Sequence, residues 1–285
     1  MLPWVNSTDP VWQRQRDQFL EGNNNNETRL PSTGDATLEV GIALELALRN
    51  MPFIRRLYVV THRPQQPPPL LNLPPDLRQK IHVVHHDEFM PAEVLPVFNS
   101  SAIELYIHRI PDLSENFILM NDDMYVLQPT EVTDFFNPLP LMRDEAIVTL
   151  TLAVVQPTVP LPGAYLKALR HTQRTLFGSK RRRFYVRNHA PCPVTKTLLA
   201  EVARLYGDQT PANRFRHASD RLVVTMALNT GLYNGQVVLH HTRGCRCYER
   251  PRAIPENTRF MCVNDLDHSN AKHRAWLVRN TIGRM

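Results

Sequence analysis

The chain has 285 residues, 42% hydrophobic and 21% charged, an ordinary globular balance and enough to bury a substantial core. Its net charge of +6 is carried almost wholly by arginine, since five of the 33 basic residues are lysines; guanidinium is the better fork for phosphate or carboxylate. No run of about 20 apolar residues occurs, so no membrane span is visible, and 24 prolines against ten glycines predict long, stiffened connections.

The opening "MLPWVNSTDP" is neither a signal peptide nor a natural domain start; it reads as the inside of a motif, so a piece of a longer protein is expected. Leu38 to Asn50 has apolar residues at helical spacing and stops before Pro52. Arg55 to Thr61 reads as a buried strand, followed by a Pro-rich connection expected to lack regular structure, then a short strand from Ile81 to Val84. Ser101 to Glu104 has capping-box spacing and opens a helix to about Ile110, which leads into a strand from Asn116 to Met120. "AIVTLTLAVVQP" predicts a strand, "GAYLKALRHTQRTLFG" a helix, and "KRRRFYVRNHAPCPV" a basic loop. Val194 to Tyr206 and Ala218 to Asn229 read as helices, "GQVVLHH" as a strand and Ala271 to Asn280 as a last helix. The rhythm predicts an α/β fold: a Rossmann-like, mostly parallel sheet flanked by helices, with an inserted irregular middle region. One domain, 1–285, is expected, with 137–187 as the candidate insertion.

Ligands gather at the carboxyl ends of strands in such sheets. Thr61, His85 to Asp87 and Asn121 to Asp123 fall at such ends. The stretch "NFILMNDDMYVLQP" places Asp122 and Asp123 between two apolar runs. Adjacent carboxylates there are hard ligands for Mg²⁺ or Mn²⁺ on a pyrophosphate; alternatively they form an Asx turn that satisfies its own backbone. Asn99 and Ser100 precede a helix N-terminus, a place for phosphate contacts or for simple capping. "SKRRR" beside Phe184 and Tyr185 invites a nucleic-acid reading, but no nucleic-acid module accompanies it and a solvated loop is the expectation. Cys245 and Cys247 follow His240 and His241. The spacing is tight for zinc, and disulfides with Cys192 or Cys262 in an oxidising lumen are favoured. Of the sequons at Asn6, Asn26 and Asn99, only Asn26 is expected to carry a glycan.

Four blocks then stand in order: "PWVNSTDPVW" (Pro3 to Trp12), "LPVFNSSAIELYIHRIPDLSENFILMNDDM" (Leu95 to Met124), "NHAPCPVTKTLLAEV" with "RFRHASD" (Asn188 to Val202, Arg214 to Asp220), and "CVNDLDH" (Cys262 to His268). Together they resemble the Stealth family of hexose-1-phosphate transferases, which includes capsule polymerases and the α/β precursor of the lysosomal-enzyme N-acetylglucosamine-1-phosphotransferase. The closing block looks more like the latter. Ser101 departs from the histidine of many members, and the strand that normally precedes the first block is absent. The resemblance implies transfer of a sugar-1-phosphate, with N-acetylglucosamine-1-phosphate expected, from a UDP-sugar to a hydroxyl of a glycan or glycoprotein, with release of UMP. It implies Asp122, Asp123, Asp9 and Asp265 as Mg²⁺ or Mn²⁺ ligands, and His189, Arg216, Asp220 and Asp123 as catalytic residues. Asn6, Ser7, Asn99, Ser100 and Arg109 are assigned to donor contacts; His85 and His86 are rival bases. A Golgi or other secretory-lumen location, membrane attachment through segments outside this chain, no nucleic acid and a candidate oligomer complete the expectation. The rivals are a metal-dependent nucleotide-sugar glycosyltransferase and a non-catalytic carbohydrate-binding subunit.

Overall fold

The computed structural model describes residues 1–20, 37–70, 73–137, 147–150, 152–154, 164–178, 180, 182–206, 213–239, 244–264 and 269–284. β1 (Leu2–Pro3) turns into α1 (Pro10–Leu20), where Asp9 Oδ1 accepts from Val11 N at 2.7 Å and Trp12 N at 3.4 Å. Those are two of the amides a helix start leaves unpaired. α2 (Thr37–Asn50) is buried from Glu39 to Leu48 except at Gly41, and β2 (Leu57–Thr61) is buried throughout. α3 (Pro75–Arg78) and β3 (Ile81–His85) follow, then α4 (Ser100–Tyr106), β4 (Asn116–Leu119) and β5 (Met124–Val126). β6 (Phe136–Asn137), β7 (Ile147–Leu150) and β8 (Leu152–Val154) precede α5 (Ala164–Phe177). The remainder is β9 (Tyr185–Arg187), β10 (Cys192–Thr195), α6 (Lys196–Tyr206), α7 (Val223–Asn234), β11 (Val237–Leu239), β12 (Cys245–Tyr248), β13 (Phe260–Val263) and α8 (Ala271–Asn280).

The first three strands pair in parallel in the order β1-β2-β3. Met1 N donates to Ile118 O at 2.7 Å and Met1 O accepts from Met120 N at 2.9 Å. One residue bridging i and i+2 of its neighbour is a parallel pattern, so β4 continues the sheet beyond β1. β10 then pairs antiparallel with β4, Leu119 opposite Cys192. The sheet therefore runs β3-β2-β1-β4-β10. On the far side of the turn after β4, β5 pairs antiparallel with β13, and β12 runs parallel to β13. β7 lies between β6 and β11, and β8 pairs with β9. Asn50 at the end of α2 anchors this second group, donating through Nδ2 to Val126 O at 2.7 Å.

The parallel sheet and its covering helices match the α/β expectation; antiparallel ladders enter from β4 onward. Several local expectations are corrected. α4 is capped by Asn99, whose side chain accepts from Ser101 N, and not by Ser101. Glu104 is drawn instead into an ion pair with Arg187. The Pro-rich connection does contain one helical turn, α3, because Pro74 and Pro75 stand at its start, where a missing N–H costs nothing. The basic loop contains β9 and β10. "AIVTLTLAVVQP" contains two strands with different partners, and Ala218 to Leu222 is non-helical lead-in to α7. In α7, a Cβ on Gly231 would sit 2.5 Å from Val237 Cγ2 and 2.9 Å from Leu198 Cδ2, so glycine permits the close approach to β11 and α6.

Candidate active site

Asn121, Asp122 and Asp123 form the turn between β4 and β5 and line a cavity of about 700 Å³. Three other segments complete it: the start of α4 with Ser100, the β9–β10 turn with His189, and the loop before α7 with Arg216 and Asp220. Residues 100, 122, 189, 216 and 220 thus meet in one cavity although they come from four parts of the chain. The elements that deliver them are packed by aromatic contacts. Phe215 stacks on Phe98 at 5.1 Å, and Trp12 meets Phe98 edge-on at 5.5 Å.

The "RFRH" loop divides its arginines. Arg214 binds the carbonyls of Glu93, Leu95 and Pro96 and lies over the Phe19 ring, so it clamps the loop to the chain entering α4. Arg216 donates to Ser100 Oγ at 3.1 Å and lines the cavity. Asp220 is buried and organises the loop, accepting from Asn99 Nδ2 at 2.9 Å, His217 N at 2.9 Å and Asn213 Nδ2 at 2.7 Å. Asn99 is only 1% exposed and spends its amide on that loop, with further bonds to Asn213 O and Phe215 O. It underlies the cavity, while Ser100 faces it.

One wall carries a pair that sequence reading did not find. Arg187 donates to Glu104 at 2.8 Å, with side-chain exposures of 17% and 9%. Burial alone would lower the Arg187 pKa, but the Glu104 charge outweighs it and holds the guanidinium ionised. The residues are 83 positions apart, so only the fold pairs them. Asn264 from the closing block also lines the cavity, and Asp265 lies outside the described residues.

The donor set at the turn is carboxylate and carboxamide oxygen from Asp122, Asp123, Asn121 and Asn264, which suits a hard divalent cation. Thiols stand beside it. Cys262 Sγ lies 3.5 Å from Asp123 Oδ2 and 3.7 Å from His189 Nδ1. Donation from Cys262 to Cys247 sulfur lowers the Cys247 pKa and raises that of Cys262, whose burial adds to the rise. The four cysteines, 192, 245, 247 and 262, are free thiols, which corrects the disulfide expectation.

Four assigned residues lie elsewhere. Asp9, Asn6 and Ser7 sit at the carboxyl end of β1. Gln65 donates from Nε2 to Asn6 O at 3.0 Å and Asp9 Oδ2 at 3.1 Å, and accepts from Asn6 N at 2.8 Å. Burial works to raise the Asp9 pKa, yet hydrogen bonds from Val11 N, Gln65 and Trp12 N prevail and hold it below the usual range. Ser7 is buried. Arg109 lies over the Tyr106 ring at 5.0 Å. Near the same strand ends, His85 Nδ1 is 3.1 Å from Glu88 Oε1, and burial pushes the His86 pKa down to about 3. A neutral buried imidazole in that position is structural material, not a base facing the cavity. A cavity of about 840 Å³ beside Phe53, Arg55, Tyr58 and Phe117 contains none of the assigned residues.

The fold and site define a class: an α/β protein whose strand-end carboxylates, histidine and arginine share one cavity. Residues 42–143 match the family described as Stealth protein CR2, conserved region 2. The chain is 38% identical over 151 residues to a capsular polysaccharide phosphotransferase of Streptococcus thermophilus, covering 51% of this chain and 61% of that protein. A capsular polysaccharide phosphotransferase of Streptococcus pneumoniae aligns at 26% identity over 310 residues, covering 93% of this chain and 90% of that one. Among solved structures, the galactosyltransferase LgtC aligns over 86% of this chain and 91% of its own at 11% identity and a TM-score of 0.44, a likeness too slight to add to the fold already described. The chain is similar to the Stealth family over residues 42–143 and to these capsular polysaccharide phosphotransferases. It spans about three-fifths of the first-named relative's length.

Proposed function

We propose that this chain transfers a sugar-1-phosphate, N-acetylglucosamine-1-phosphate being the expected group, from a UDP-sugar to a glycan hydroxyl. The observation that carries the reading is the meeting of Asp122, Asp123, His189 and Arg216 around a single cavity. Support comes also from the capsular polysaccharide phosphotransferases to which the chain is similar. In this reading the acceptor oxygen attacks the phosphorus next to the sugar, the bond from that phosphorus to the bridging oxygen breaks, and UMP departs. Arg216 binds the non-bridging oxygens, where charge accumulates. His189, exposed at the rim, takes the hydroxyl proton. Ser100 holds the guanidinium, and Asp220 is a positioning residue that fixes the loop carrying Arg216. Asp122 and Asp123 would hold Mg²⁺ or Mn²⁺, which when bound neutralises the pyrophosphate.

A UDP-sugar labelled in the phosphate adjacent to the sugar tests the reaction. Label in the acceptor with UMP released is the expected result. UDP released with an unlabelled acceptor would replace this reading with ordinary glycosyl transfer. No turnover with any donor would favour a binding subunit. Residence in a secretory lumen is part of the same reading and rests on the Asn26 sequon. Among the described residues no helix is long and apolar enough to cross a membrane. An endoglycosidase-sensitive mass shift lost in Asn26→Gln is expected; an unshifted mass contradicts it.

A further inference from the structure

The transfer reaction makes no use of sulfur, yet two thiols stand behind the cavity-lining Asp123 and His189. Cys247 and Cys262 are register partners in the adjacent parallel strands β12 and β13, so their side chains project from the same face of the ladder. His189 reaches that face from the β9–β10 turn. One ligand atom each from His189, Cys247 and Cys262 lies within 4.8 Å of the others. Cys262 Sγ is 3.7 Å from His189 Nδ1 and 3.5 Å from Asp123 Oδ2. A tetrahedral zinc ion with bonds of about 2.3 Å to sulfur and about 2.0–2.1 Å to nitrogen or oxygen needs ligand atoms about 3.6 Å apart. Both measured edges fit that tetrahedron.

We propose that Cys247, Cys262 and His189, with Asp123 Oδ2 as the fourth ligand, form a site for a thiophilic divalent cation, Zn²⁺ in the first instance. Asn264 supports it from outside. Its Nδ2 donates to Cys247 Sγ at 3.5 Å, and its Oδ1 lies 3.5 Å from Cys262 Sγ. The ligand set is soft where the neighbouring Asp122 and Asn121 are hard, so the two ends of the cavity select different metals. Spacing in the sequence conceals the site, because its ligands come from two turns and two strands at positions 123, 189, 247 and 262. The site rests on side-chain geometry and not on the transferase reading. If that reading holds, zinc here withdraws His189 Nδ1 and one Asp123 oxygen from the reaction and inhibits it.

The test is an anaerobic titration of the reduced, metal-free chain with Co²⁺. One cobalt per chain should bind, with thiolate-to-cobalt charge-transfer absorption and tetrahedral d–d bands. Equimolar Zn²⁺ should abolish the spectrum, and a large excess of Mg²⁺ should leave it intact. Cys247→Ser, at an exposed position, should lose one thiolate contribution. It should also weaken Zn²⁺ by more than the roughly 10–100-fold that loss of an outer-shell partner costs. A reduced wild-type chain with no charge-transfer band overturns the proposal, as does an unchanged spectrum in Cys247→Ser. So does recovery of the protein from zinc-replete cells without zinc and with Cys247 and Cys262 joined as a disulfide. None of these readouts depends on turnover, so failure of the transferase reading would be seen separately.

Discussion

At the carboxyl ends of β1 to β3, polar side chains are occupied with one another. Asp9 caps α1 and holds Gln65, Gln65 holds Asn6, His85 is bound to Glu88, and Arg63 bridges Asp87 and Glu88 at 2.8 and 3.2 Å. At the end of β4, a similar inventory of carboxylate, imidazole and guanidinium is spread around a cavity of about 700 Å³, delivered by several segments of the chain. Both clusters sit where α/β sheets place ligands. The difference is that the first cluster is tied together by its own hydrogen bonds, while the second lines a cavity. Asp9 stands directly before a helix, and its oxygen is taken by that helix's own orphan amides. Asp122 and Asp123 stand in a turn between two strands and line the cavity.

Four variants sharpen that contrast. The largest effect is expected from Glu104→Ala in the cavity wall. Removing one partner leaves Arg187 an uncompensated buried charge, and denaturant unfolding should show a loss of about 3–5 kcal/mol. Arg216→Ala should do the reverse, lowering kcat by about 10²–10³-fold, as for other donors aimed at transition-state charge, with little change in the unfolding curve.

The third prediction concerns pH and the first cluster. His86 is neutral in the fold because burial depresses its pKa to about 3, and no hydrogen bond to either ring nitrogen is found among the described residues. The unfolded chain binds that proton near pH 6.5, so stability is lost as pH falls below 6.5 and continues to fall towards 3. The cost is about 1.4 kcal/mol per pH unit, or ~2 kcal/mol by pH 5. His86→Leu should flatten the slope over that interval without altering the nucleotide released. The smallest effect is Asp9→Ala, which removes a helix cap and should cost about 1 kcal/mol with activity retained. Loss of activity in a folded Asp9→Ala protein would move the catalytic centre to the first cluster and dissolve the contrast.

Much of this was legible in the sequence because local signals agree with the fold. The apolar spacing of Leu38 to Asn50 and the limits of Ala271 to Asn280 reappear as α2 and α8. The blocks around Asp122, His189 and Arg216 do converge on one cavity. What could not be read was long-range competition. Asn99 was assigned to the donor, but it is buried against a loop more than a hundred residues away. Asp220 was placed on a helix, whereas its carboxylate is consumed in shaping the turn before that helix. β9 and β10 were hidden in a basic, Pro-containing stretch because their pairing partners, β8 and β4, lie far off in sequence. The Glu104–Arg187 pair and the Cys247–Cys262 register partners are likewise invisible without the fold, since neither has a spacing that signals contact.

The central claim is that chemistry belongs to the β4–β5 turn and not to the β1 cluster. A single assay of UMP release from a UDP-sugar, run on Asp122→Asn and Asp9→Asn with melting curves beside it, tests this most directly. The account predicts that Asp122→Asn is inactive while unfolding near wild type, and that Asp9→Asn, in which the amide oxygen can still cap α1, remains active. An active Asp122→Asn beside a folded but inactive Asp9→Asn would contradict it.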